Sequence, residues 1–170
     1  MSKPLSIPTE LLNRATAGQA DAQFALAEIY MQSEDEDDNE HAEEWALKAA
    51  QLGHVEAMYW LGEGYAVYAK DLREEDPTEA KTYFEHAFRW LEQASKFKHP
   101  SAILELATFY RRGDVVEKDV AKSIAMVQQA AELGEVQAMR DLACIYEHGL
   151  GIDVDEAKAD EWSEKAKSAE

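Results

Sequence analysis

Apolar positions recur along this chain at helical spacing, and one nine-residue skeleton returns four times. It reads Ala22-Leu26-Ala27-Tyr30, then Ala57-Leu61-Gly62-Tyr65, Ala102-Leu106-Ala107-Tyr110 and Ala138-Leu142-Ala143-Tyr146. Steps of four residues place the alanine, leucine and tyrosine on one face of a helix. A second pattern follows each copy. A small residue (Ala42, Ala87, Ser123, Ala159) precedes by three a large one (Trp45, Trp90, Met126, Trp162). Small residues at fixed positions let helices approach, and the large residue fills the remaining gap. Each unit is therefore a helix pair that buries its apolar face only by stacking on its neighbours, the logic of a repeat array.

The pattern predicts an all-α fold, an α-solenoid of about four antiparallel helix pairs. The expected repeats are residues 18–52, 53–97, 98–133 and 134–170, so the array is 18–170. Residues 1–17 are expected as a loose tail and a short capping helix, which opens at Pro8 and is ended by Gly18. Four residues before each anchor alanine stand Gly18, Gly53, Lys98 and Gly134, where a left-handed residue is expected to close the preceding helix. The anchor alanines are 35, 45 and 36 residues apart, so the second repeat carries an excess of about ten. That excess reads as helix. Asp76 is the expected N-cap, Pro77 opens the first turn, and Glu79 supplies a capping-box acid. The helix should run to about Phe97, and the one before it through Tyr68. Tyr68 and Leu72 would then pack on Tyr83 and Phe84 and make a taller pair; the alternative is an aromatic knob of Tyr68, Tyr83 and Phe84 offered to a partner.

These residues carry a family pattern: Ala-x-x-x-Leu-Gly-x-x-Tyr, then a Gly-x-Gly loop with Asp, Lys and Ala, then Trp-x-x-Lys-Ala-Ala. The chain resembles Sel1-like repeat proteins, relatives of tetratricopeptide repeats, over about residues 18–170. Repeat four fits best, through Leu142, Tyr146, Gly149, Gly151, Asp153, Ala157, Lys158 and Trp162. Repeat three keeps Gly113, Asp119, Ala121 and Lys122 but has Met126 in place of Trp. Repeats one and two lack the glycine loop. The resemblance implies an adaptor or scaffold; some bacterial members act in secretion or signalling, or as immunity proteins that neutralise a toxin. It does not by itself fix a function.

In the related tetratricopeptide architecture, the face of each first helix opposite the alanine stripe lines the concave surface. Here that face would carry Asp21, Phe24, Glu28 and Met31; Glu56, Tyr59, Glu63 and Ala66; Ser101, Leu104, Thr108 and Arg111; and Gln137, Arg140, Cys144 and Glu147. The candidate partner-binding residues are Phe24, Glu28, Glu56, Tyr59, Glu63, Leu104, Arg111, Arg140 and Glu147. Aromatic and arginine side chains are the common interface anchors. The groove is expected to be acidic and aromatic in its N-terminal half and arginine-bearing in its C-terminal half.

Charge sharpens this picture. With 35 acids and 17 bases the net charge is −18, which disfavours nucleic acid and anionic membranes and favours a basic protein partner. Residues 1–85 hold −13 of it. A cytoplasmic module without catalytic role or cofactor is the expected class, with a basic toxin or secretion-system effector as the sharper partner and a general scaffold as the alternative. Oligomeric state is left open. Asp35, Asp37 and Asn39 begin like a calcium loop, but Glu40 and Ala46 stand where Gly and Glu are required, so no metal site is expected. His41 with His86, and His54 with His99, recur at equivalent positions and read as repeat residues. Cys144, the single cysteine, is expected as a buried or semi-buried inert thiol.

Overall fold

A computed structural model of the chain describes residues 6–33 and 36–169; the side chains of residues 36 and 37 lie outside that description, as does Asp35 of the acidic run. Nine helices follow one another among the described residues: α1 Thr9–Thr16, α2 Ala20–Met31, α3 Glu36–Gln51, α4 Val55–Leu72, α5 Pro77–Lys96, α6 Pro100–Arg112, α7 Val120–Glu132, α8 Val136–His148 and α9 Glu156–Ser168. The last eight pack as consecutive antiparallel pairs, α2/α3, α4/α5, α6/α7 and α8/α9, each stacked on the next.

The alanine and leucine stripe is the core. Ala22, Ala57, Ala102 and Ala138 are buried, and so are Leu26, Leu61, Leu106 and Leu142. Ala42, Ala87, Ser123 and Ala159 are buried opposite them on the second helices. Burial of each such leucine favours folding by about 1.5–3 kcal/mol. The repeat tyrosines sit at the edge of this core, each against the residue just before the small one. Tyr30 meets His41 and Tyr65 meets His86. Lys122 lies over the Tyr110 ring at 3.9 Å and Lys158 over Tyr146 at 5.0 Å. His41 and His86 thus take a packing role that lysine takes later in the array. At the N-terminus α1 places Ala15, with Ile7 and Leu11, over Ala22 and Leu26, and so covers the face that has no preceding repeat.

Helix ends obey local chemistry. Gly18, Gly53 and Gly134 adopt φ of 84°, 93° and 96°, and Lys98, at the equivalent place, is held at 60°. Asp119 and Asp155 cap α7 and α9 by accepting from the Lys122 and Lys158 amides. The aspartate of the loop motif in repeat four is therefore Asp155, not Asp153: only Asp155 stands three residues before the lysine whose amide it caps. Asp76 caps α5, accepting from the Thr78 and Glu79 amides at 3.0 and 2.9 Å. Its own N–H goes to the Leu72 carbonyl, so Glu79 contributes first-turn charge rather than the return bond of a capping box.

The inserted residues lengthen both helices of the second pair, to 18 and 20 residues. Tyr68 meets Tyr83 edge to face at 4.7 Å. Phe84 is buried against Phe109 and is no surface knob. The overhang is tied forward: Arg73 pairs with Asp114 beyond α6 and lies over the Phe84 ring.

Candidate functional site

The expected groove residues fall on one side of the first helices, but several are committed to holding neighbouring repeats together. Phe24 is only 6% exposed and packs on His54 with ring centroids 4.6 Å apart. His54 is the N-cap of α4: its Nδ1 accepts from the Ala57 amide, and Nε2 lies 3.8 Å from Asp21. The next step repeats the device. Tyr59 stacks on His99 at 4.5 Å, His99 Nδ1 accepts from the Ala102 amide, and its Nε2 lies 3.1 Å from the Glu56 carboxylate. At the third step Glu135 caps α8 and receives the Ser101 hydroxyl at 2.6 Å. A ladder therefore joins the start of each first helix to the N-cap of the next. The signal in the sequence was a histidine three residues before an anchor alanine, paired with an aromatic two residues after the previous one.

Phe24 is accordingly a packing residue and not a free anchor. Ala66, expected in the groove, is buried because α4 continues past it and packs on α5. Leu104 is half-buried against the C-terminal core. It shares a cleft of about 270 Å³ with Thr108, Arg111, Asp141 and Cys144, so Leu104 and Arg111 come together there. Cys144 is exposed, contrary to expectation, because it lies six residues past Ala138, off the buried stripe; its Sγ is 3.7 Å from His148 Nδ1. Glu28, Arg111, Arg140 and Glu147 are exposed on α2, α6 and α8.

Tyr59 is the hub of an acidic strip. Its hydroxyl donates to Glu63 at 3.0 Å, and its pKa is raised, first by burial and then by the Glu63 carboxylate, with Glu105 and Glu135 adding to the effect. Glu105 is a larger surprise. Burial pushes its carboxyl up, Glu63 and Asp141 push the same way, and Lys70 and Arg112 oppose them. The acidity expected in the N-terminal half thus continues through Glu105, Glu135 and Asp141, with Lys70 and Arg112 close to Glu105. Glu105 and Asp141 sit one residue off the positions that read the face, and Glu135 lies outside the helix as the N-cap of α8.

The architecture defines a helical repeat protein. The family model of the Sel1 repeat matches residues 20–54, 55–85, 84–96, 100–135 and 136–169, and the chain belongs to the Sel1 repeat family. The matches 55–85 and 84–96 both fall in the α4/α5 pair, where the lengthened helices interrupt the pattern. The chain is 30% identical, over its whole length, to the chitin synthase regulator SKT5 of Saccharomyces cerevisiae, of which it spans 25%. It superimposes with a TM-score of 0.78 on c5321, a protective antigen of uropathogenic Escherichia coli with an SLR fold. That match has 28% identity and covers 96% of this chain and 33% of that one. A Sel1 repeat protein from Oxalobacter formigenes gives 0.77 at 27% identity, covering 93% of this chain and 61% of the other. The chain therefore spans less than two thirds of each of these relatives. Sel1 repeats are protein–protein interaction modules and generally non-catalytic. No helix among the described residues is long and apolar enough to cross a membrane.

Proposed function

We propose that residues 18–170, capped by residues 1–17, form a non-catalytic recognition module that holds a basic protein partner against the face of its first helices. The observation that carries this reading is the convergence of Glu63, Glu105 and Glu135 on Tyr59, with Glu56 and Asp141 alongside. Like charges held close raise one another's cost of ionisation, and a cationic partner relieves that repulsion. The exposed members of the site are Glu28, Glu56, Glu63, Arg111, Arg140 and Glu147, with Tyr59 and Leu104 as half-buried anchors. The sharper form of the proposal is a cytoplasmic immunity or inhibitor protein that occludes a basic toxin or effector.

Affinity capture from the native cell tests it, with the unaltered chain and a Glu28→Lys, Glu63→Lys variant as paired baits. Both residues are exposed; Glu28 lies outside the inter-repeat ladder, and Glu63 touches it only through the Tyr59 hydroxyl. One stoichiometric basic protein, held by the first bait and released by the second, is the expected result. Several unrelated clients would favour a scaffold. Retention that is indifferent to charge reversal and to salt would remove the acidic-face reading.

A further inference from the structure

One position distinguishes the inter-repeat grooves from one another. Seven residues after the anchor alanine stand Gly64 in α4, Phe109 in α6 and Ile145 in α8. Each lies where its first helix meets the preceding pair. Phe109 is buried, wedged against Phe84 and Phe88 with ring centroids 6.0 and 5.7 Å away. Ile145 packs on the C-terminal core. At Gly64 a Cβ atom would meet nothing within 4 Å. Groove volume follows side-chain size in reverse: about 10 Å³ at Phe109, about 270 Å³ at Ile145 and about 720 Å³ at Gly64. The array is thus unplugged between its first and second pairs.

The walls of that cleft define what fits it. Trp60, Tyr65, Tyr68 and Tyr83 line it with Met31 and Val67, and Val67 and Tyr68 are about half exposed. Among the described lining residues Glu43 is the one carboxylate, and none is Lys or Arg. The Tyr65 hydroxyl donates to Glu43, which fixes the carboxylate at the wall; burial first, and then this bond, pushes the phenol's pKa up. Aromatic faces with a fixed carboxylate suit an apolar stem that ends in a cation. The chain applies the same chemistry internally, seating Lys122 on Tyr110 and Lys158 on Tyr146; at Tyr65 the equivalent place is taken by the His86 ring, which leaves the faces of Trp60 and Tyr68 to a visitor. The surrounding half of the chain carries −13, which favours a positive visitor.

We propose that the cleft beside Gly64 receives an arginine or lysine side chain, flanked by apolar residues, from the protein partner. This rests on the interaction-module reading but uses a surface distinct from the acidic strip around Tyr59.

The test uses the full chain and labelled 12-residue peptides of one Leu/Ser scaffold, with Arg, Lys, norleucine or Glu at the centre. Fluorescence anisotropy should show Arg and Lys peptides binding roughly fivefold or more tighter than the norleucine and Glu peptides. Gly64→Phe, which copies the plug of the third pair, should abolish that preference while leaving the unfolding midpoint equal or higher, since it removes a glycine from a helix interior. Glu43→Gln should lower the Arg and Lys affinities and leave norleucine unchanged, and it serves if Gly64→Phe fails to fold. Equal affinity for Arg and norleucine, indifference to both substitutions, or no binding by any peptide at millimolar concentration overturns the proposal. A native partner that still responds to Glu63→Lys would leave the function of the first-helix face standing in each of those cases.

Discussion

Lys98 shows how strongly the repeat geometry outweighs local preference. Its three counterparts are glycines, and it is held at a φ of 60°, where a side chain is disfavoured by about 1–2 kcal/mol. Strain at such a residue persists only when its surroundings over-determine it. Here the Lys98 amide closes on the Ser95 carbonyl and the His99 amide on Ala94, so the turn between α5 and α6 is fixed from both sides. Lys98→Gly relieves the clash but adds freedom to the unfolded chain, worth about 0.5–1 kcal/mol in the other direction. The expected net gain is up to about 1 kcal/mol, read as a higher denaturant midpoint with an unchanged slope. Gly53→Ala, the inverse change at an equivalent turn, should lower the midpoint. The left-handed requirement was legible at Lys98 from its alignment with three glycines alone. The role of His99 beside it was not, because a histidine cap and its stack on Tyr59 depend on how far one pair is offset from the next.

At the scale of the element, the second pair is the exception that the others explain. Its first helix places Gly62 where the other first helices have Ala27, Ala107 and Ala143, and a Cβ on Gly62 would lie 2.6 Å from Leu91 Cγ. Leu91 is fully buried, so it cannot swing aside without opening the core. The long α4 and α5 therefore touch more closely than an alanine would allow. Gly62→Val should destabilise by about 1–3 kcal/mol through overpacking, despite the loss of a helix-weakening glycine. Differential scanning calorimetry beside Gly64→Phe separates the two glycines: the first loses stability and the second does not. Helix lengths here were readable from the excess spacing and the Asp76-Pro77 start. The depth of the cleft was not, since Gly64 differs from Phe109 in consequence only once both are seen to face the preceding pair.

For the whole molecule, charge and stacking oppose one another. A net −18 on a chain of 170 residues places like charges on neighbouring pairs, and Glu63, Glu105 and Asp141 crowd one face. Repeat arrays hold together chiefly through contacts between adjacent units, so repulsion across those interfaces bears directly on stability. Screening length falls from about 30 Å at 0.01 M salt to about 10 Å at 0.1 M, down to the separation of adjacent helices, about 8–10 Å. Raising salt over that range should therefore raise the unfolding midpoint, by roughly 2–4 °C for each kcal/mol of repulsion relieved. The same salt should slow association with a basic partner, because attraction at a distance is screened while the buried stack is not. The two responses share one cause and have opposite signs. A midpoint that falls with salt would mean that attractive pairs such as Arg73–Asp114 outweigh the repulsion, and the acidic face would then be a stabilised surface rather than one that gains from a cationic partner.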